Sequence, residues 1–280
     1  MYFTKMHGAS NDYIYINGFE EDIESIIPHV PFLSHRHKGI GSDGVVFILP
    51  SSIADLCMRM FNSDGSEAQM CGNAIRCVGK YAFENGLINK TICTVETKAG
   101  IKSLDMQVEH NKVISVSVDM GVAIFTPKDI PVAIEDKFCL EYPLDILGKN
   151  YKISCVSMGN PHAVIFMQKE EDVEDLEIAN IGSIIENHPL FPEKINVEFA
   201  YIIDKEHVRM RVWERGAGET EACGTGACAV ASIAYKLGYT SNKVDIILNG
   251  GILHIEIKEN QHVFMTGGAT KVFEGEWHAD

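Results

Sequence analysis

No stretch of the 280-residue chain approaches the roughly 18 consecutive apolar residues of a membrane-spanning helix. The opening Met1-Tyr2-Phe3-Thr4-Lys5 lacks the charged-then-apolar order of a secretory leader, so the expectation is a cytoplasmic protein with no membrane partner. Positive charge is scarce as well: 24 Lys and Arg stand against 39 Asp and Glu, for a net charge of −15. Phosphate backbones are bound by clustered cations, so nucleic acid is excluded as a partner. Cys-x-x-Cys is missing, and the Cys71/Cys77 and Cys223/Cys228 spacings fit no common zinc pattern, which argues against a metal. In a chain of this length without a leader, eight cysteines read as thiols and not as a disulfide framework. Cys57, Cys93, Cys139 and Cys155 sit in apolar, strand-like contexts and Cys77 and Cys228 inside helical ones, so all six read as core.

One motif is present by its letters and lacks its context. Gly39-Ile40-Gly41-Ser42-Asp43-Gly44 matches the dinucleotide fingerprint, but an apolar strand at 45–49 follows where a helix is needed. The glycines read instead as a tight turn beside a site. His35 and His37 around Arg36 read as turn residues, and the acidic run 170–175 as a solvated surface.

What the chain has is apolar content, 46% of its residues, enough for two domains at roughly 150 residues each. Their division is legible because a segment recurs. A constant offset lays Met58-Arg59 on Met210-Arg211, Glu67 on Glu219 and Cys71-Gly72 on Cys223-Gly224, then Val78 on Val230, Ala82 on Ala234 and Gly86 on Gly238. Each copy reads as a strand, a polar loop, a cysteine and a helix closed by a C′ glycine. Such a repeat dictates architecture, here two similar halves with a seam near 121–127. Around the two helices, expected at 74–85 and 224–237, β-branched and aromatic runs predict strands. In the first half these are 3–6, 13–17, 45–49, 55–61, 91–97, 101–108 and 113–119. In the second they are 151–157, 163–167, 196–201, 207–213, 244–248, 252–257 and 263–266. A Pro-interrupted helix is read within 20–33 and another at 178–186.

The chemistry concentrates where strand gives way to helix, at Glu214-Arg215-Gly216-Ala217-Gly218-Glu219-Thr220-Glu221-Ala222-Cys223-Gly224-Thr225. The first N–H groups of a helix have no intrahelical acceptor and its dipole is positive there, so a cysteine at the entry is expected to lean toward thiolate. The same N–H groups suit a carboxylate. Pseudo-twofold symmetry would bring the two cysteine-led helix entries to face one another across a cleft. Inverting a carbon stereocentre needs one group to remove a proton and another to supply one, so two equivalent thiols suit that reaction. Nothing in the chain suggests a pyridoxal site, so no cofactor is expected and the protein must itself stabilise the carbanion.

Three blocks together resemble the diaminopimelate epimerase family: Phe61-Asn62-Ser63-Asp64-Gly65-Ser66-Glu67 leading to Cys71-Gly72-Asn73, Gly159-Asn160-Pro161-His162, and the Glu214-to-Cys228 stretch, with Met265-Thr266-Gly267 near the end. The resemblance covers essentially the whole chain. It implies an α+β fold of two pseudo-symmetric halves, each a mostly antiparallel β-sheet curled around a central α-helix. The halves are 1–121 with 267–280, carrying Cys71, and 122–266, carrying Cys223. It implies cofactor-independent conversion of LL-2,6-diaminoheptanedioate to the meso isomer, in lysine and peptidoglycan precursor synthesis, by a homodimer. Carried over by position, Cys71 and Cys223 are the acid/base pair, assisted by His162 and Glu214. Gly72, Asn73, Gly224 and Thr225 would hold the reacting carboxylate, while Asn11, Asn62, Asn160, Asn196 and Arg215 would read the distal centre. Some members carry Gln where this chain has Gly44 and Tyr where it has Phe273. The alternative is a racemase of another amino acid, histidine or proline, on the same scaffold.

Overall fold

The protein is described by a computed structural model over residues 1–278, so the assignment of 279–280 to the first half lies outside the described residues. The chain divides into two units, Met1–Asp119 with the chain from Thr266 onward, and Met120–Met265.

In the first unit β1 (Tyr2–Gly8) and β2 (Asn11–Asn17) form a hairpin. Its turn residues Ala9 and Ser10 take φ of 51° and 65°, the hand that matches strand twist in a two-residue turn. The helix read within 20–33 is broken into α1 (Ile23–Ile26) and α2 (Val30–Ser34), because Pro28 and Pro31 each remove a backbone donor. There follow β3 (Gly44–Leu49), β4 (Leu56–Asn62), β5 (Glu67–Ala68), α3 (Gly72–Glu84), β6 (Ile92–Thr97), β7 (Gly100–Glu109) and β8 (Lys112–Val122). β1 and β2 pair antiparallel, β2 and β3 parallel, β3 and β4 antiparallel, β4 and β6 parallel, and β6, β7 and β8 as an antiparallel meander.

β3 is buried from Gly44 to Ile48 because both its faces are covered. On one side Val45 and Phe47 join Ile14, Ile16 and Phe61 against Ile26, Val30 and Leu33 of the short helices. Each such side chain contributes about 1.5–3 kcal/mol on full burial. The other face turns to α3, which packs against β1, β2 and β7. Strands from opposite ends of the sheet thus touch one helix, which is what curls the sheet around it.

The second unit comprises β9 (Tyr142–Ile146), β10 (Lys149–Ser157), β11 (Pro161–Phe166), α4 (Glu171–Glu174), α5 (Ile178–Glu186), β12 (Asn196–Ile202), β13 (His207–Glu214), β14 (Gly218–Thr220), α6 (Gly224–Lys236), β15 (Lys243–Leu248), β16 (Gly251–Ile257) and β17 (His262–Gly267). The chain then adds β18 (Thr270–Glu276) antiparallel to β1. The succession of the first unit recurs: β10 with β11 antiparallel, β11 with β12 parallel, β12 with β13 antiparallel, β13 with β15 parallel, β15 with β16 antiparallel. Here α6 is the central helix, packed on β10, β11, β12, β15 and β16, while Ile178 and Ile185 of α5 meet Ile165, Val197 and Phe199 on the outer face. The α+β architecture expected from the sequence is present in both units.

The two central helices close alike. Gly86 and Gly238 take φ of 74° and 75°, and Leu87 and Tyr239 donate back to the carbonyls of Ala82 and Ala234 at 2.9 and 2.8 Å, a left-handed C′ closure that glycine adopts without a Cβ penalty. The acidic run forms α4 and is more than a solvated surface. Val173 is buried beneath it, and Glu174 pairs with Arg209. Cys77, Cys93, Cys139, Cys155 and Cys228 are core residues and Cys57 is half-buried. No helix among the described residues is long and apolar enough to cross a membrane.

Candidate active site

Each central helix begins directly after a cysteine. Cys71 (φ −133°, ψ 123°) and Cys223 (φ −123°, ψ 112°) are extended N-cap residues without a side-chain cap. Their carbonyls accept the first intrahelical bonds, from Ile75 at 3.0 Å and Ala227 at 2.9 Å. Gly72 and Asn73 open the one helix and Gly224 and Thr225 the other, in first turns whose N–H groups have no acceptor within the helix.

In the first unit the hairpin turn brings Asn11 to Cys71. The Cys71 thiol donates to Asn11 Oδ1 at 3.2 Å, and Asn11 Nδ2 donates to Asp43 Oδ2 at 2.7 Å. Asp43, from the glycine turn before β3, is held in its turn by Arg36 at 2.8 Å, and Arg36 also forks onto Asp12 at 2.7 and 3.2 Å. Burial pushes the Asp12 carboxyl up, but hydrogen bonds from Arg36 and Lys5 outweigh it and hold the group below its ordinary value. The glycine turn and Arg36 thus stand behind Asn11 and aim it. Asn62, exposed at the end of β4, donates to Ser66 Oγ at 3.0 Å and shapes its own turn. Gly44 pairs with Asn62, and a Cβ there would fall 2.0 Å from the Phe61 carbonyl oxygen, so a side chain enters this position only if β3 and β4 separate.

In the second unit β11 carries His162, β12 carries Asn196 and β13 ends at Glu214. The His162 ring is fully buried, with Nε2 3.0 Å from Asn160 Oδ1 and Nδ1 2.6 Å from Glu198 Oε1. Asn196 is stitched into the backbone, its Nδ2 donating to the Pro161 carbonyl at 2.8 Å and its Oδ1 accepting from the Arg215 amide at 2.9 Å. The exposed Arg215 guanidinium gives one N–H to the Glu193 carbonyl at 2.9 Å, which leaves most of its five-donor fork for a carboxylate. Glu214 Oε1 accepts from the Thr220 hydroxyl at 2.5 Å, so β14 fixes the carboxylate that β13 ends on.

The lean toward thiolate expected at a helix entry does not hold for Cys223. Its thiol is buried and pushed well above its ordinary value. Desolvation is the main cause, and the negative charge of Glu214 adds to it; the Thr225 hydroxyl, 3.5 Å away, and the Gly226 amide oppose it. Burial overrides the dipole because a partial charge screened by its own helix cannot replace lost hydration.

Besides Arg36 and Asp43, which were read only as turn residues, two residues escaped the reading of the sequence. Thr220 lay inside the recognised block without a role. Glu198 carried a legible signal, a lone carboxylate in the otherwise apolar run 197–200 of a fully buried strand segment.

The family model for diaminopimelate epimerase matches residues 3–126 and 154–272. The chain is 56% identical to the diaminopimelate epimerase of Acetivibrio thermocellus, over 99% of this chain and 98% of the relative. It is 52% identical to that of Methanococcus maripaludis over 99% of each. Among solved structures it resembles a phenazine biosynthesis protein of the PhzF family from Enterococcus faecalis, with a TM-score of 0.74 at 13% identity over 99% of both chains. It also resembles a probable proline racemase from Agrobacterium radiobacter, with a TM-score of 0.70 at 16% identity over 100% of this chain and 93% of the other. At such identities these two likenesses concern the fold.

Proposed function

The chain belongs to the diaminopimelate epimerase family, and is thereby an isomerase, and from that premise we propose that it converts LL-2,6-diaminoheptanedioate to the meso isomer without a cofactor, with Cys71 and Cys223 as the acid/base pair. The observation that carries the reading is the pair of matching helix entries, with an extended cysteine directly before α3 at Cys71 and directly before α6 at Cys223. One thiol removes the α-proton while the other supplies one, and the reverse reaction exchanges their roles, so two thiols serve both directions.

The α-proton is a weak acid, and the developing carbanion shifts charge onto the neighbouring carboxylate. N–H groups of Gly72 and Asn73 and of Gly224 and Thr225, at the positive ends of α3 and α6, meet that charge. Glu214, fixed by Thr220, assists by holding the reacting amino group, and His162, fixed between Asn160 and Glu198, assists by orienting Asn160. The open fork of Arg215, with Asn11, Asn62, Asn160 and Asn196, reads the distal centre, where a second carboxylate gives a bidentate arginine its use. Asn196 does so through the backbone, since its amide already orients Arg215.

The activity places the protein in lysine and peptidoglycan precursor synthesis, in the cytoplasm, where thiols stay reduced. A homodimer belongs to the same proposal. Exposed Tyr2 of β1 and Val272 and Phe273 of β18 offer it an apolar contact, which sedimentation measures. The decisive test is proton NMR of the reduced protein with the LL substrate in deuterium oxide. Solvent deuterium entering the α-position as the meso isomer forms, with turnover lost by orders of magnitude in Cys71→Ala and Cys223→Ala, is the expected result. Exchange on histidine or proline in its place would move the substrate to the racemase alternative.

A further inference from the structure

Glu198 is placed in the site by the fold, and its own role is open. It stands between Val197 and Phe199, which turn to the outer core, while its side chain is fully buried on the α6 side. Oε1 lies 2.6 Å from His162 Nδ1, and Oε2 is buried without a hydrogen-bond partner among the described residues. Gly226, in the first turn of α6, makes the room. A Cβ there would fall 2.8 Å from Glu198 Oε1 and 3.3 Å from Cys223 Cβ, so the carboxyl and the cysteine border one vacant position.

The internal repeat tells what the fold alone requires at this place. Val46 pairs with Met60 and Glu198 with Val212, and Met60 and Val212 are equivalent by the offset of the repeat, so Val46 holds the place of Glu198. By the same registers Tyr13 holds the place of His162, and the offset sets Ala74 on Gly226. A fully buried valine beside an alanine therefore completes this layer in the first unit. In the second an acid replaces the valine and the facing methyl is deleted to admit it. Burying a carboxyl costs free energy that a valine does not, so the demands of packing leave the acid unexplained.

The proton inventory follows from the partners. Asn160 Oδ1 only accepts, so Nε2 of His162 donates to it and carries a proton. One further proton is shared between His162 Nδ1 and Glu198 Oε1. An ionised Glu198 would place half its charge on an Oε2 that no donor meets, whereas the neutral acid donates from Oε1 and leaves a carbonyl oxygen bare at smaller cost. The titratable groups around it are His162 from β11, Glu214 from β13, Cys223 at the α6 entry and Cys155 from β10. None of them is a lysine or arginine.

We propose that Glu198 is a positioning residue acting as a neutral acid: its Oε1–H donates to His162 Nδ1, fixes the imidazole as the Nε2–H tautomer and keeps a negative charge away from the α6 entry beside Cys223. The proposal rests on the placing of His162 and Cys223 in the epimerase reaction. Burial pushes the carboxyl up; His162 opposes it and the Glu214 charge adds a smaller push in the same sense as burial, so that the net direction is the one the geometry requires.

The test is 15N NMR of histidine-labelled protein, with the His162 signals assigned by His162→Asn, run beside α-proton exchange kinetics on wild type, Glu198→Gln, and a Glu198→Val/Gly226→Ala double variant that copies the Val46/Ala74 packing of the first unit. A glutamine can donate to Nδ1 as the neutral acid does, so wild type and Glu198→Gln are expected to share the neutral Nε2–H tautomer, kcat and pH profile. The double variant is expected to fold normally and lose about 10- to 100-fold in kcat, the size of effect that misplacing a reacting group produces. An imidazolium signal in the wild type, a Glu198→Gln loss as large as that of the double variant, or a fully active double variant would each overturn the proposal. A wild-type protein that shows the Nε2–H tautomer but exchanges no α-proton would strike the epimerase reading and leave the Glu198–His162 arrangement standing.

Discussion

Adding one methyl group at Gly226 tests the packing on which the acid–imidazole pair depends. The backbone there is helical, and a Gly→Ala change within a helix ordinarily stabilises by about 0.5–1 kcal/mol. Here the new Cβ would lie 2.8 Å from Glu198 Oε1, and that oxygen cannot swing away freely. It is fully buried and held 2.6 Å from His162. Forcing a methylene-sized group into such a core costs about 1–3 kcal/mol, and weakening the Glu198–His162 hydrogen bond removes about another 1 kcal/mol. The net expectation for Gly226→Ala is a destabilisation of about 1–3.5 kcal/mol, or several degrees in Tm for a chain of this size. Thermal and urea unfolding measure it. The second arm is Glu198→Val in the Gly226→Ala background, which removes the atom the methyl strikes. The pair should then couple by about 1 kcal/mol or more, as contacting residues do. Gly226→Ala as stable as wild type, or strict additivity of the two changes, would refute the reasoning.

Three further outcomes follow from the same geometry. Alkylation of Cys223 by iodoacetamide, followed by peptide mapping across pH, should show a midpoint above that of an ordinary thiol, because burial first and then the Glu214 charge raise it; Glu214→Gln should move the midpoint down, and an unmoved midpoint refutes the electrostatic part. Asp12 is held below its ordinary value by Arg36 and Lys5 against the opposing effect of burial, so its contribution is fully present above the unfolded pKa of about 3.9 and lost as pH falls through the lower folded value. Asp12→Asn should accordingly be less stable than wild type at pH 7, and the two should converge in acid, which urea titrations at both pH values read directly. Gly8→Ala would set a Cβ 2.9 Å from both the Asn73 carbonyl oxygen and the buried Arg76 guanidinium, and should cost about 1–3 kcal/mol by overpacking, with a full-stability variant as the contrary result.

Much of the fold was legible because its signals are local. The repeat placed both helices to within two residues at either end, since a cysteine-led glycine entry and a C′ glycine are punctuation that the backbone obeys without tertiary help. The strands before and after each helix were legible for the same reason, as β-branched runs between turns. The 20–33 segment was less so. Two prolines cut its helix, and what orders the pieces is burial of Ile26, Val30 and Leu33 on β3, a contact between segments. In the candidate site, Cys71 and Cys223 stood out by type and pattern, whereas His162, Glu214 and the asparagines were carried over from the family resemblance. Asp43, Arg36 and Thr220 did not stand out, because each matters only through the atom it reaches across strands, and Glu198 was passed over although a carboxylate in an apolar run is a visible signal.

The sequence by itself determined that there are two like halves, where each helix starts and ends, and which residue types stand at the helix entries, for these depend on backbone preferences and on a pattern that repeats. Only the tertiary structure decided the charge state of the chemistry. A helix entry inclines a thiol toward ionisation, but Cys223 is desolvated and faces two carboxyl groups, and Glu198 becomes a partner of His162 because parallel pairing of β11 with β12 sets their side chains together beside a glycine of α6. Desolvation and charge–charge interaction depend on what lies within a few ångströms in space, and separation along the chain does not encode that.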